Sequence, residues 1–243
     1  MIKLLLATRR RPGMTQAEFR HYVKDVHAPL VLQDPDAAEL IRKYTQNHVL
    51  DAAYGAPGSV GYPVVSERDI ITEIMFDGIE QMGQAQRTPM YVNVIRHDED
   101  NFADQASVLV FPVREQEFEV ARPRTAPVKV IHYLKQAAGS SDEDFVKRWS
   151  EAHESIMVAN PEISDGFARY VQNYRVSPPH SEPEERTRYG VAMLWLDSRE
   201  QLAVFEDYHR QLVGVSSQQR SFFDPEQSFC VISEEFVLKE QAL

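Results

Sequence analysis

The 243-residue chain has a single cysteine, Cys230, so no disulfide can form within it. It sits in the apolar run FCVI, where a thiol is expected to be buried and to behave as a small hydrophobe. No CxxC, HExxH or paired-histidine spacing occurs, so no metal site is expected. The acidic run His97-Asp98-Glu99-Asp100 offers hard ligands without a defined geometry and reads as a solvated loop. The chain also lacks a glycine-rich phosphate loop and a GxSxG elbow, which disfavours nucleotide cofactors and a serine hydrolase. No apolar run approaches membrane-spanning length. The opening MIKLLLA is too short for a signal-peptide core and lacks a cleavage pattern, which predicts a cytoplasmic location. Basic charge is scarce, with 26 Lys and Arg against 37 Asp and Glu, a net charge of −11. That balance argues against nucleic acid or an anionic membrane as partner. The one basic run, Arg9-Arg10-Arg11, reads as a solvated turn.

What the chain does contain is a repeat. KYTQN at 43–47 returns as RYVQN at 169–173. The same separation of 126 residues pairs Lys3 with Lys129, Thr15 with Ser141, Phe19 with Phe145 and His27 with His153. Later in each half the separation falls to 120, aligning Asp77 with Asp197, Glu80 with Glu200 and Phe102 with Phe222. These matches predict an internal duplication, with repeats at 1–120 and 128–243 and a proline-containing linker at 121–127.

Within the first repeat, Ile2 to Thr8 reads as a strand. Thr15 and Glu18 form a capping box that opens a helix. Phe19, Val23, Val26 and Leu30 are spaced as its buried stripe, and Pro35 is expected to end it. A strand from Ile41 to Asp51, a loop from Tyr54 to Pro63, a strand from Ile70 to Phe76, a helix from Ile79 towards Ile95 and a strand from Ser107 to Phe118 follow. The second repeat reads likewise: strand Val128 to Lys135, a helix capped by Ser141 with Phe145, Trp149, Ala152 and Ile156 inward, and strand Phe167 to Val176. After the polar loop SPPHSEPEERT come strand Tyr189 to Leu196, a helix from Ser198 and strand Ser228 to Leu238. The fold class expected is α+β, with two ferredoxin-like β-α-β-β-α-β repeats. Each four-stranded sheet would leave one face bare, so the two antiparallel sheets are expected to pack into one barrel. The barrel closes within the chain or, alternatively, half-to-half between chains as a homodimer.

The run KLLLATRRRPGMTQAEFRHYVKDVHAPLV, followed by RKYTQNHVL, resembles the EthD family of dimeric α+β-barrel proteins. The second repeat keeps Phe145, His153, Tyr170, Gln172 and Asn173 but has Ser155-Ile156 in place of Pro-Leu and Ala137-Ala138-Gly139 at the turn. The resemblance implies a small-molecule protein of a group that includes proteins linked to ether degradation and fungal dehydratases of aromatic polyketides. Related barrels house cofactor-free monooxygenases, lactone isomerases and haem enzymes, so the fold does not fix the reaction.

His27 and His153 lie at the margin of their helices' apolar stripes, where an imidazole can serve as a general base or tie helix to sheet. Asn47 and Asn173 could supply an oxyanion donor, or pair with loop backbone or with the histidine of the same half. Tyr44, Gln46 and His48 share one strand face, as do Tyr170, Gln172 and Tyr174 on the equivalent strand. Tyr44, Gln46, His48, Tyr170, Gln172 and His132 are the candidate substrate contacts. The activity expected is a lyase that uses no cofactor and acts on an aromatic or polyketide-like small molecule. A base, His27 in preference, removes a proton, Asn47 or Gln46 holds the oxyanion, and water, formaldehyde or carbon dioxide departs. The alternatives are a cofactor-free monooxygenase and a non-catalytic binding barrel. The asymmetry of the motifs places the working site in the first repeat.

Overall fold

The computed structural model describes residues 1–50, 68–176, 185–218 and 221–241. The loop expected at Tyr54 to Pro63, and most of SPPHSEPEERT, lie outside the described residues. Strand β1 (Ile2–Thr8) leads into a helical run made of α1 (Gln16–His21), a π-helical turn (Tyr22–His27) and α2 (Ala28–Gln33). The short α3 (Pro35–Leu40), β2 (Lys43–Val49) and β3 (Ile70–Phe76) follow. Helix α4 (Ile79–Ala85), a second π turn (Tyr91–Ile95), α5 (Arg96–Asp98) and a 3-10 turn (Glu99–Asn101) precede β4 (Leu109–Phe118). The second repeat runs β5 (Val128–Gln136), α6 (Asp142–Ala159), α7 (Pro161–Gly166), β6 (Arg169–Arg175), β7 (Tyr189–Leu196), α8 (Leu202–Gln218) and β8 (Phe223–Glu240).

The eight strands close into one antiparallel barrel in the order β1-β3-β2-β8-β5-β7-β6-β4. Each repeat contributes a ferredoxin-like sheet, and the two seams are β2 against β8 and β4 against β6. The barrel therefore closes within one chain and leaves no free strand edge. Side chains alternate along every strand. One set fills the barrel interior, with Leu5, Phe111, Ile131, Tyr133, Met193 and Val231 among them. The other set packs under the outer helices, around Tyr44 and Phe76 in the first repeat and Trp149 and Tyr208 in the second.

The capping box at Thr15 forms, and Ser141 Oγ accepts from the Asp144 amide. The helical run ends at Gln33, just before Pro35 as expected, and Pro35 then opens α3, because Asp34 caps the new turn and a proline at N1 forfeits no bond. The acidic run 97–100 is helical as well, continuing the second π turn into the 3-10 turn. The inward stripe also differs from the expected one. Phe19 and Val23 are buried, but Val26 is 41% exposed and His27 is buried. The π turn is the cause: Ala28 N–H donates to Val23 five residues back, which lodges an extra residue in the turn and rotates everything beyond it. In α6, a continuous α-helix, the equivalent stripe of Phe145, Trp149, Ala152 and Ile156 is buried as its spacing predicts.

Candidate active site

Between the helices of the first repeat and the outer face of β1, β2 and β3 lies a cavity of about 200 Å³. Its wall is largely aliphatic and aromatic, including Leu4, Leu6, Val31, Ile74, Phe76 and Phe102. Into it project His27, Tyr44, Gln46, Tyr91 and Glu99. The alternation of β2 brings Tyr44 and Gln46 here together.

His27 is held from behind. Its Nδ1 lies 2.8 Å from Asp98 Oδ2, and Oδ1 of the same carboxylate accepts from Tyr22 Oη at 2.6 Å and from Asn101 Nδ2 at 3.0 Å. A carboxylate only accepts, so Nδ1 carries the proton and Nε2 keeps its lone pair. Among the described residues Nε2 has no hydrogen-bond partner, and the ring packs against Phe102 at 4.7 Å. Burial lowers the imidazole's pKa, and Asp98 works against that shift. The result is a neutral, oriented base at the wall of an apolar cleft.

Gln46 has a positional role. Its Nε2 donates to Val23 O at 2.9 Å, the carbonyl around which the π turn forms. His48 Nε2 in turn donates to Gln46 Oε1 at 3.0 Å. His48 does not line the cavity; it packs on Phe236, and burial pushes its pKa down to about 4. The hydrogens of Gln46 are thus directed at Val23 O and, at 3.5 Å, at Tyr44 Oη, which leaves the Tyr44 O–H able to donate within the cavity that Tyr44 lines. Burial pushes the Tyr44 phenol up to about 12, so it stays neutral. Glu99 is the other titrating group, its carboxyl raised to about 7 mainly by burial.

Asn47 does not join this group. It lies on the opposite face of β2, inside the barrel, where Nδ2 donates to Ile71 O and Glu73 Oε1, each at 2.9 Å. The expectation that it serves His27 is therefore corrected by the strand's two-residue period. Asn173 is its counterpart inside the barrel and donates to Val191 O.

The second repeat has the equivalent residues but not the space. His153 is 1% exposed, stacks on Tyr170 at 3.8 Å and has Nδ1 3.1 Å from Tyr208 Oη. Burial drives its pKa down to about 3. Gln172 bonds Tyr170 and Tyr174 along its own strand, not a helix carbonyl. His132 is fully buried between Phe205 and His209. Trp149, Phe205 and Tyr208 stand where the first repeat has Val23, Ala85 and Thr88, and Gly190 replaces Ile70. A Cβ at Gly190 would lie 2.5 Å from Trp149, so that glycine makes room for the large rings. The position of Asp98 is taken by the exposed Gln218. His153, Tyr170, Gln172 and His132 are thus packed under the helices of the second repeat and Asn173 lies inside the barrel, so none of the five lines an open cleft comparable to the first.

Sequence reasoning missed Tyr22, Asp98 and Glu99. The last two lie in the acidic run read as solvated, and the one available signal was their replacement by Gln218 and Gln219 at the repeat separation.

The architecture is a single-chain α+β barrel with one open helix–sheet cleft and one filled counterpart. The EthD domain model matches residues 11–106 and again 137–226, so the chain belongs to the EthD family and carries two copies of its domain. A decarboxylase of Claviceps purpurea (strain 20.1) is 28% identical over 98 residues, which cover 39% of this chain and 69% of that protein. A dehydratase of Ustilaginoidea virens is 28% identical over 107 residues, with the same two coverages. Each match thus spans only part of this chain. In solved structures, an anthrone oxidase-like protein shares the fold along 100% of this chain and 96% of its own, at a TM-score of 0.60 and 10% identity.

Proposed function

We propose that this protein is a lyase, working without a cofactor, on a small aromatic or polyketide-like molecule bound in the first-repeat cleft. The observation that carries the reading is the His27–Asp98 pair set in the wall of an otherwise apolar cavity. His27 Nε2 accepts a proton made acidic by a conjugated carbonyl or phenol, while Asp98 stabilises the imidazolium that forms. Tyr44 O–H holds the developing oxyanion in a site of low polarity, where such a bond is strong. For loss of water, the electron pair left behind forms the new C=C bond and displaces hydroxide from the neighbouring carbon; the hydroxide takes up a proton and leaves as water. For loss of carbon dioxide, His27 Nε2 takes the carboxyl proton instead. The C–C pair then stays on the substrate carbon as the enolate or phenolate that Tyr44 holds, and His27 returns the proton to that carbon. The names of the relatives from Claviceps purpurea and Ustilaginoidea virens fit these two outcomes.

The test is incubation of the purified chain with a panel of hydroxylated and carboxylated anthrones and naphthols, with products read by mass spectrometry. Loss of the mass of water or carbon dioxide is expected. His27→Ala should lower turnover by about 10²–10⁴, the usual range for a lost general base. Asp98→Asn should lower it in the same direction by releasing the tautomer. His153→Ala should leave turnover within several-fold, with melting curves confirming that each variant is folded. Oxygen uptake with gain of oxygen in the product would replace the lyase by a cofactor-free monooxygenase.

A further inference from the structure

The cleft's wall discriminates by charge. Among the described residues that line it there is no lysine and no arginine. Its ionisable groups are His27, Glu99 and the phenols of Tyr44 and Tyr91, with Asp98 directly behind His27. A ligand carboxylate entering here would lose water and find no counter-charge, which is costly in an apolar surround. An uncharged phenol or alcohol would instead find hydroxyl, carboxyl and imidazole partners.

Resting on the reading of His27 as the base of this cleft, we infer that the substrate is an uncharged, hydroxylated ring compound. The reaction is then loss of water, with Glu99 as the acid that protonates the departing hydroxyl. The C–H proton passes to His27 Nε2, and the C–H electron pair becomes the new C=C bond. The C–O bond breaks, and its oxygen takes the Glu99 proton and leaves as water. Solvent then carries the proton from His27 back to Glu99, so nothing else is consumed. Asp98 and Glu99 are consecutive at one helix end, the first turned to His27 and the second lining the cavity. A single turn thus supports the base and presents the acid. Burial first, then Asp100 and Asp98, raise the Glu99 carboxyl, against Arg96. Tyr44, Tyr91 and His27 are the other titratable groups lining the same cavity.

The experiment compares 1-naphthol with 1-naphthoate by calorimetry on the full chain at pH 6 and pH 8. 1-Naphthol should bind about tenfold or more tightly than 1-naphthoate, a difference of about 1.4 kcal/mol or more. Ala85→Phe, which copies Phe205 into the open cleft, should abolish 1-naphthol binding. In wild type, amide shifts of Thr72 and Ile74 on adding 1-naphthol locate the probe even if that variant does not fold. At pH 6 the infrared band of a protonated carboxyl should be present in wild type and lost in Glu99→Gln. Equal or tighter binding of 1-naphthoate at the same site would overturn the inference and leave the cleft reading standing. An identical carboxyl band in wild type and Glu99→Gln would also overturn it. 1-Naphthol binding that neither shifts Thr72 and Ile74 nor responds to Ala85→Phe would overturn the cleft reading, and the inference with it.

Discussion

Besides His27, whose downward shift Asp98 opposes, four buried histidines, His48, His132, His153 and His209, have pKa values depressed mainly by burial: about 4 for His48, about 3 for His153 and His209, and well below the usual value for His132. Each takes up a proton more readily in the unfolded chain than in the folded one. Below the unfolded value of about 6.5 the unfolded state therefore binds more protons, and stability falls as pH falls. The penalty grows by about 1.4 kcal/mol per pH unit for each histidine until its folded value is reached. Glu99 has the opposite sign, because its raised carboxyl adds stability at low pH that is lost as pH rises through about 7. One group cannot balance four. Urea unfolding at pH 7.5, 6 and 5 should show stability dropping by several kcal/mol, and His153→Phe should flatten the curve. A stability independent of pH across that range would contradict the buried, neutral assignment. His27 was legible as a candidate because it stands at the margin of its helix's apolar stripe. Asp98 was not, since its partnership with His27 spans 71 positions and exists only once β1 to β4 have folded.

The helices of the two repeats show how one element departs from its copy. Both π turns lie in the first repeat, whereas α6 and α8 are unbroken. A π turn contains the same kinds of residue as an α turn, so hydrophobic spacing cannot reveal it. It is stabilised from outside the helix, by Gln46 reaching Val23 O. Conversely, the regular spacing of α6 carried its stripe correctly from sequence to structure. Facing that stripe of α6, β7 must stay slim at Gly190. Gly190→Ala should cost about 1–3 kcal/mol by overpacking against Trp149 and Phe145, measured as a lower urea midpoint with unchanged slope. No loss of stability would mean that the rings have room to retreat, and that the second cleft is less tightly filled than described.

At the scale of the whole molecule, one end of the barrel is held by charges that belong to both repeats. Glu73 pairs with Lys3 at 2.7 Å and also with Lys129, its repeat equivalent, while Glu115 and Glu235 complete the two lysines separately. Flanking charges keep the Glu73 carboxyl well below the usual range despite its burial. Glu73→Met, the residue found at the matching position 193, removes the shared partner and should destabilise by about 3–5 kcal/mol in chemical denaturation. A change under about 1 kcal/mol would show that Glu115 and Glu235 suffice. A two-fold dimer made of identical single-repeat chains has no way to build this centre, because symmetry obliges every side chain to appear twice. Any carboxylate beside the axis would face its own image. Joining two copies in one polypeptide lifts that obligation: position 73 keeps an acid, position 193 becomes a thioether, and the carboxylate shared by the paired lysines has no counterpart in the other repeat. The same release from symmetry lets one cleft fill with rings while the other stays open, so a gene fusion here has turned a doubled object into one with a front and a back.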